Sequence, residues 1–135
     1  MKRLFYVLCF TVLMVSLLTG AAPTPNTTFA LLQGLPSTMS VGETQTVIVQ
    51  VNSDQEFIFV QALPSFQFPG KGVVAVQGGD HAGRGTSATL ELTFKAKDST
   101  AQFPGGLATV YAVVGVRYPG GYVAVQEYVF EVTVL

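Results

Sequence analysis

The chain is predicted to fold as an all-β protein, a sandwich of two sheets built from about seven antiparallel strands. Three observations predict it. Apolar and polar residues alternate at period two from Phe29 onwards, turn chemistry interrupts the alternation at short intervals, and no stretch places apolar residues at helical spacing. Seven short strands separated by turns give the pattern of two stacked sheets, with a closed barrel as the alternative.

The fold does not begin at the first residue. Met1-Lys2-Arg3 is basic, Leu4 to Leu18 is apolar apart from Thr11 and Ser16, and Thr19-Gly20-Ala21-Ala22 is small. That order describes a secretory signal peptide over residues 1–22, its apolar stretch helical, with cleavage expected after Ala21 or Ala22. A helix crossing hydrocarbon needs roughly 20 apolar residues, so a retained segment extended through Ala22 is a marginal anchor. After processing no membrane span is expected, and the destination is secreted, periplasmic or cell surface. Cys9, the one cysteine, sits in the apolar run. It is too early for lipid attachment and reads as filler. The exported part therefore has no disulfide, although export favours them. About 113 residues bury enough apolar surface to fold without one.

Residues 23–28 (Pro-Thr-Pro-Asn-Thr-Thr) form a flexible lead-in, and 29–135 form the domain. The predicted strands are Phe29–Leu32, Thr44–Val51, Glu56–Leu63, Val73–Val76, Thr86–Ala96, Leu107–Tyr118 and Tyr122–Val134. In the second, Val47, Val49 and Val51 share a face. In the fifth, Ala88, Leu90, Leu92 and Phe94 oppose Thr89, Glu91, Thr93 and Lys95. The sixth is predicted to be the longest. Turns are expected at Val41-Gly42-Glu43, at Asn52-Ser53-Asp54, and at Pro119-Gly120-Gly121, where proline presets φ and glycine accepts positive φ. Gly78 to Gly85 is too rich in glycine to hold one conformation cheaply.

The last strand carries a conflict. Tyr128, Phe130, Val132 and Val134 point inward, yet Val123 and Val125 have the opposite parity. A β-bulge near Gln126 would reconcile the halves, because one extra residue flips the faces. The other solution is a first half covered on both faces. Tyr111 occupies a place suited to a corner tyrosine and equally to a half-buried strand aromatic.

Charge excludes one class of function. Without Lys2 and Arg3, five basic residues remain against eight acidic ones, a net charge of about −3, and the cations are scattered. Nucleic acid binding relies on clustered cations, so no nucleic acid partner is expected. Catalytic groups are equally sparse. His81 is the one histidine, beside Asp80 in the glycine loop, and Gly-x-Ser-x-Gly is absent. Two adjacent ligands fall short of a zinc site. Glu127 and Glu131 share a strand face roughly 13 Å apart, too far to flank one glycosidic bond. No enzyme, cofactor or metal is expected. The Asn26-Thr27-Thr28 sequon matters only where exported proteins are glycosylated.

The remaining features point to recognition. Arg117, Tyr118 and Tyr122 surround the hairpin tip, while Phe66, Phe68 and Phe103 lie on Pro-Gly loops. Aromatics and arginine are common interface anchors. The bland reading gives a cross-strand tyrosine pair and phenylalanines that plug the ends of the sandwich.

Leu35-Pro36, the Val41-Gly42-Glu43-Thr44 turn leading into Val47, Val49 and Val51, and the closing Val129-Phe130-Glu131-Val132-Thr133-Val134 resemble bacterial immunoglobulin-like modules of exported and surface proteins. That resemblance implies an immunoglobulin-like sandwich over residues 29–135. It also implies a non-catalytic structural or protein-interaction role in the cell envelope, with another envelope or extracellular protein as partner. The opening is similar to cohesin modules as well, which would imply a docking partner. A carbohydrate-binding module stacking a glycan on Tyr118, Tyr122 and the loop phenylalanines is the alternative.

Overall fold

A computed structural model describes residues 23–135, so the signal peptide and Cys9 lie outside the described residues. The strands are β1 (Thr27–Gln33), β2 (Thr38–Met39), β3 (Thr44–Phe57), β4 (Phe59–Phe66), β5 (Val73–Ala75), β6 (Asp80–Ala82), β7 (Gly85–Ala96), β8 (Ala108–Arg117) and β9 (Val123–Val134). A 3₁₀ turn covers Pro104–Gly106. One sheet has the order β1-β3-β7-β5 and the other β2-β9-β8-β4-β6. All pairings are antiparallel except the short β2–β9 contact, which is parallel. The architecture is a two-sheet β-sandwich.

The alternation read from the sequence sets the core. Val47, Val49 and Val51 of β3 and Leu90, Leu92 and Phe94 of β7 are buried from one side. Val60 and Ala62 of β4, Val110 to Val116 of β8 at every second position, and Val132 and Val134 of β9 meet them from the other. Each large side chain buried in this way contributes about 1.5–3 kcal/mol relative to exposure.

Several local expectations are corrected. The predicted third strand is two strands in different sheets. Phe57 faces the core from β3, the chain crosses at Ile58, and Val60 and Ala62 then face it from β4. The Ile58 N–H is held by the Arg117 carbonyl at 2.9 Å across that crossing. Asn52-Ser53-Asp54 makes no turn: although Ser53 Oγ accepts the local Gln55 N–H at 3.1 Å, all three side chains also bond partners distant in the chain. Asn52 Oδ1 accepts from Ser87 Oγ at 3.0 Å, Ser53 Oγ accepts from Tyr118 at 2.7 Å, and Asp54 Oδ1 accepts from the Asn26 N–H at 2.8 Å. These contacts carry β3 through to 14 residues, so it, not β8 with 10, is the longest strand. The ladder irregularities fall between Leu31 and Gln33 and between Asn52 and Phe57.

The glycine loop is also more ordered than expected. It contains β6, whose Asp80 accepts the Glu91 N–H at 2.8 Å and so reaches from the five-stranded sheet to β7 of the other. Buried Thr100 was not singled out from the sequence. Its hydroxyl donates to the Gly106 carbonyl at 2.7 Å and accepts from the Val134 N–H at 2.9 Å, fastening the β7–β8 connection to the end of β9.

Candidate interaction surface

β9 and β8 pair without interruption from Val123 opposite Arg117 to Val132 opposite Ala108. There is no bulge near Gln126. Parity therefore holds along the whole strand, and Val123, Val125 and Val129 point away from the core. They are 50, 62 and 53% exposed.

The neighbouring strands complete the face. On β8 the residues between the buried ones are Thr109, Tyr111, Val113, Gly115 and Arg117. On β4 they are Phe59, Gln61, Leu63 and Ser65. Register aligns them in rows across the sheet. Val123 lies beside Arg117 and Phe59, Val125 beside Gly115 and Gln61, and Glu127 beside Val113 and Leu63. Val129 then lies beside Tyr111 and Ser65. His81 of β6 continues the second row and stacks on Phe59 with ring centroids 5.7 Å apart. Gly115 has open space where a Cβ would stand. It floors a hollow of about 140 Å³ that Phe59, Gln61, Arg117 and Val123 surround.

Charge on this face is confined to its ends and one rim. Arg117 lies at the hairpin end, and Glu127 and Glu131 lie along β9 toward the other end. The centre is apolar.

The outer face of the four-stranded sheet has the opposite character. Apart from Ile48, the central strands β3 and β7 present Thr46, Gln50, Ser87, Thr89, Glu91, Thr93 and Lys95 there, and several of these side chains bond one another. Thr46 and Thr93 hydroxyls lie 3.1 Å apart, Gln50 donates to Ser87 at 3.1 Å, and Thr89 donates to Gln50 at 3.3 Å.

The residues expected at an interface are distributed differently. Arg117 is exposed on the valine face. Tyr118 is 2% exposed: its hydroxyl donates to Ser53 Oγ and takes a bond from Thr27 Oγ1, and its ring meets Phe57 edge-on at 6.5 Å. It joins the end of β8 to β1 and β3, so it ties the two sheets together. Tyr122 stays exposed at the tip, where Gly120 and Gly121 turn with φ of 88° and 92°. Phe66 packs against Phe94 at 6.1 Å and closes the far end of the core. Phe103 covers the same end, with the more exposed Phe68 edge-on to it at 5.8 Å. Tyr111 is a half-buried strand aromatic on the outer face.

Asp80 and His81 do not form a proton-transfer pair. The Asp80 carboxylate accepts the backbone N–H groups of His81 and Glu91, while the imidazole lies flat on Phe59. Among the described residues no three metal-ligating side chains come together. No helix among them is long and apolar enough to cross a membrane.

No protein-family model and no curated protein matches the chain. Solved structures give distant likenesses. Escherichia coli alpha-2-macroglobulin aligns over 85% of this chain at 17% identity with a TM-score of 0.47, and the chain spans 7% of that protein's length. AvmM, which catalyses macrocyclization in alchivemycin A biosynthesis, aligns over 81% of this chain and 88% of its own at 14% identity and TM-score 0.38. Murine CRIg aligns over 84% and 99% at 11% identity and TM-score 0.36. Likeness at this level assigns no activity.

Proposed function

We propose that the chain is an exported, non-catalytic interaction module of immunoglobulin-like architecture, and that it binds through the outer face of the five-stranded sheet. The carrying observation is the outward placement of Val123, Val125 and Val129 on β9, with Glu127 between the last two, on a face that also presents Val113 and Leu63. A sandwich whose sheet faces water keeps that face polar, as the threonine face does here. A contiguous apolar patch is expensive to leave wet and marks a surface that a partner covers.

Strand order supports the architecture. The orders β1-β3-β7-β5 and β9-β8-β4 reproduce the A-B-E-D and G-F-C sheets of immunoglobulin domains. One departure is that β6, which lies beside β4, follows β5 in the chain instead of preceding it.

A glycan platform on the loop aromatics has less support. Tyr118 is buried, and the exposed Tyr122 and Phe68 lie at opposite ends of β4 and β8, roughly 24 Å apart by strand rise.

A photo-crosslinking side chain placed at Val125 of the full chain, in its own source, tests the reading. It is expected to give a discrete protein adduct, and the same group at Thr89 on the polar face is expected to give none. No adduct at Val125, or equal adducts at both, would overturn it.

A further inference from the structure

Resting on that reading, we propose that the partner covering the valine face is a second copy of the same chain, packed sheet to sheet about a two-fold axis that crosses β8 at Val113.

The face is complementary to itself about that residue. Along β8, Tyr111 stands two residues before Val113 and the Gly115 hollow lies two residues after it, each roughly 7 Å away. An axis lying in the interface and running across the strands exchanges the two positions. The Tyr111 ring of each copy then enters the hollow of the other. Because Gly115 has no side chain, nothing of its own fills that space.

Charge follows the same symmetry. The axis lays Arg117 of one copy over Thr109 of the other, and Glu131 is the cross-strand neighbour of Thr109 about one strand spacing, ~4.8 Å, to the side. Two Arg117–Glu131 contacts form, one at each end. An unrelated partner would have to supply this arrangement of bump, hollow and opposite charges; a second copy carries it already. Isologous contact of one patch with itself is the commonest way such subunits close.

The area suffices. Three strands of about ten residues present roughly 500 Å² per copy. Both copies together bury about 1,000 Å², the lower end for a specific interface. The arrangement disfavours Glu127, since it shares a row with Val113 and meets its own counterpart at the rim, and it lays Glu131 over Val123 of the other copy.

Sedimentation equilibrium of the chain as its source processes it reads the association directly. A reversible dimer is expected. Tyr111→Ala and Gly115→Leu are each expected to weaken it at least ten-fold, as are Arg117→Glu and Glu131→Arg singly. The combined Arg117→Glu/Glu131→Arg exchange should return the constant to within about three-fold of the parent, and Glu127→Gln should tighten it several-fold. Denaturant unfolding at concentrations where the copies are apart shows that each variant is folded.

A monomer at every concentration would overturn the proposal, as would a dimer indifferent to Tyr111→Ala and Gly115→Leu. Failure of the charge exchange to rescue would overturn the placement of the axis. A monomer that still crosslinks through Val125 to a different protein would sink the second copy alone and leave the interaction face standing.

Discussion

The two outer faces of this sandwich are built from the same alternating strands and end in opposite surfaces. Outside β3 and β7 the chain puts Thr46, Gln50, Ser87, Thr89 and Thr93, hydrogen-bonded across the strands. Outside β8 and β9 it puts Val113, Val123, Val125 and Val129. The fully buried residues of both sheets' strands are apolar, so the core does not distinguish them. The difference teaches that solvent selects one face and something other than solvent selects the other. Folding alone gives no reason to expose three valines on a strand whose inner positions already supply the core.

The largest expected effect comes from charging the apolar face. Val125→Lys together with Val129→Lys should reduce association through that face by about 100-fold or more, since an unpaired charge would be buried there. The unfolding midpoint of the separated chain should stay near that of the parent. Thr89→Lys on the polar face should change neither quantity. Sedimentation and urea unfolding check both.

The next effect concerns what locks the sheets together. Tyr118→Phe removes the hydroxyl bonded to Ser53 and Thr27 and should cost about 1–3 kcal/mol in urea unfolding, because it leaves part-buried partners unsatisfied. Association of the folded variant should be unchanged. Reduced association at parental stability would make Tyr118 a recognition residue after all.

A smaller effect sharpens the comparison from the other side. Thr46→Val with Thr93→Val removes both members of a hydrogen-bonded pair, so stability should shift by no more than about 1 kcal/mol. The polar face then gains apolar character, and the variant should self-associate or lose solubility, seen as a rise in sedimentation coefficient with concentration.

The smallest belongs to the turn before β3. The Ser40 N–H, and after it the Gln45 amide, bond the Glu43 carboxylate and hold its pKa below the ordinary value of 4.5. A carboxyl depressed on folding stabilises the folded state above its unfolded pKa, and that contribution is lost as pH falls through the folded value. Glu43→Gln should therefore flatten the unfolding midpoint slightly between about pH 5 and pH 3, and leave it unchanged at pH 7 relative to its own value at pH 6.

Much of the fold was legible because period two is a local signal. Val47-Val49-Val51, Leu90-Leu92-Phe94 and the closing Tyr128 to Val134 all face as their alternation requires. The Pro119-Gly120-Gly121 reversal was equally plain from its residues. What escaped depends on partners distant in the chain. Asn52, Ser53 and Asp54 have turn chemistry, and only Ser87, Tyr118 and Asn26 decide that they stay in a strand. The crossing at Ile58 leaves no composition mark, since Phe57 and Val60 are apolar in either assignment.

The candidate surface was visible as a contradiction. Val123 and Val125 disagreed in parity with Tyr128 and Phe130, and a bulge was the solution that turned those two valines inward. The register shows that the disagreement was a real property of the strand. Tyr118 was legible in part: the cross-strand pairing with Tyr122 is present, ring centroids 5.9 Å apart, whereas its burial was not legible. An aromatic beside a Pro-Gly-Gly tip looks exposed, and no local feature reveals the hydroxyls of Thr27 and Ser53 waiting from the other sheet.

Thiol labelling addresses the outward register most directly. In a Cys9→Ser background, Val125→Cys and Val132→Cys would be reacted with a soluble thiol reagent at dilutions where chains are apart. The account predicts that the cysteine at 125 reacts nearly as fast as a free thiol, while the one at 132 waits on unfolding. Protection of both under those conditions would mean that Val125 faces the core, and the apolar outer face would not exist.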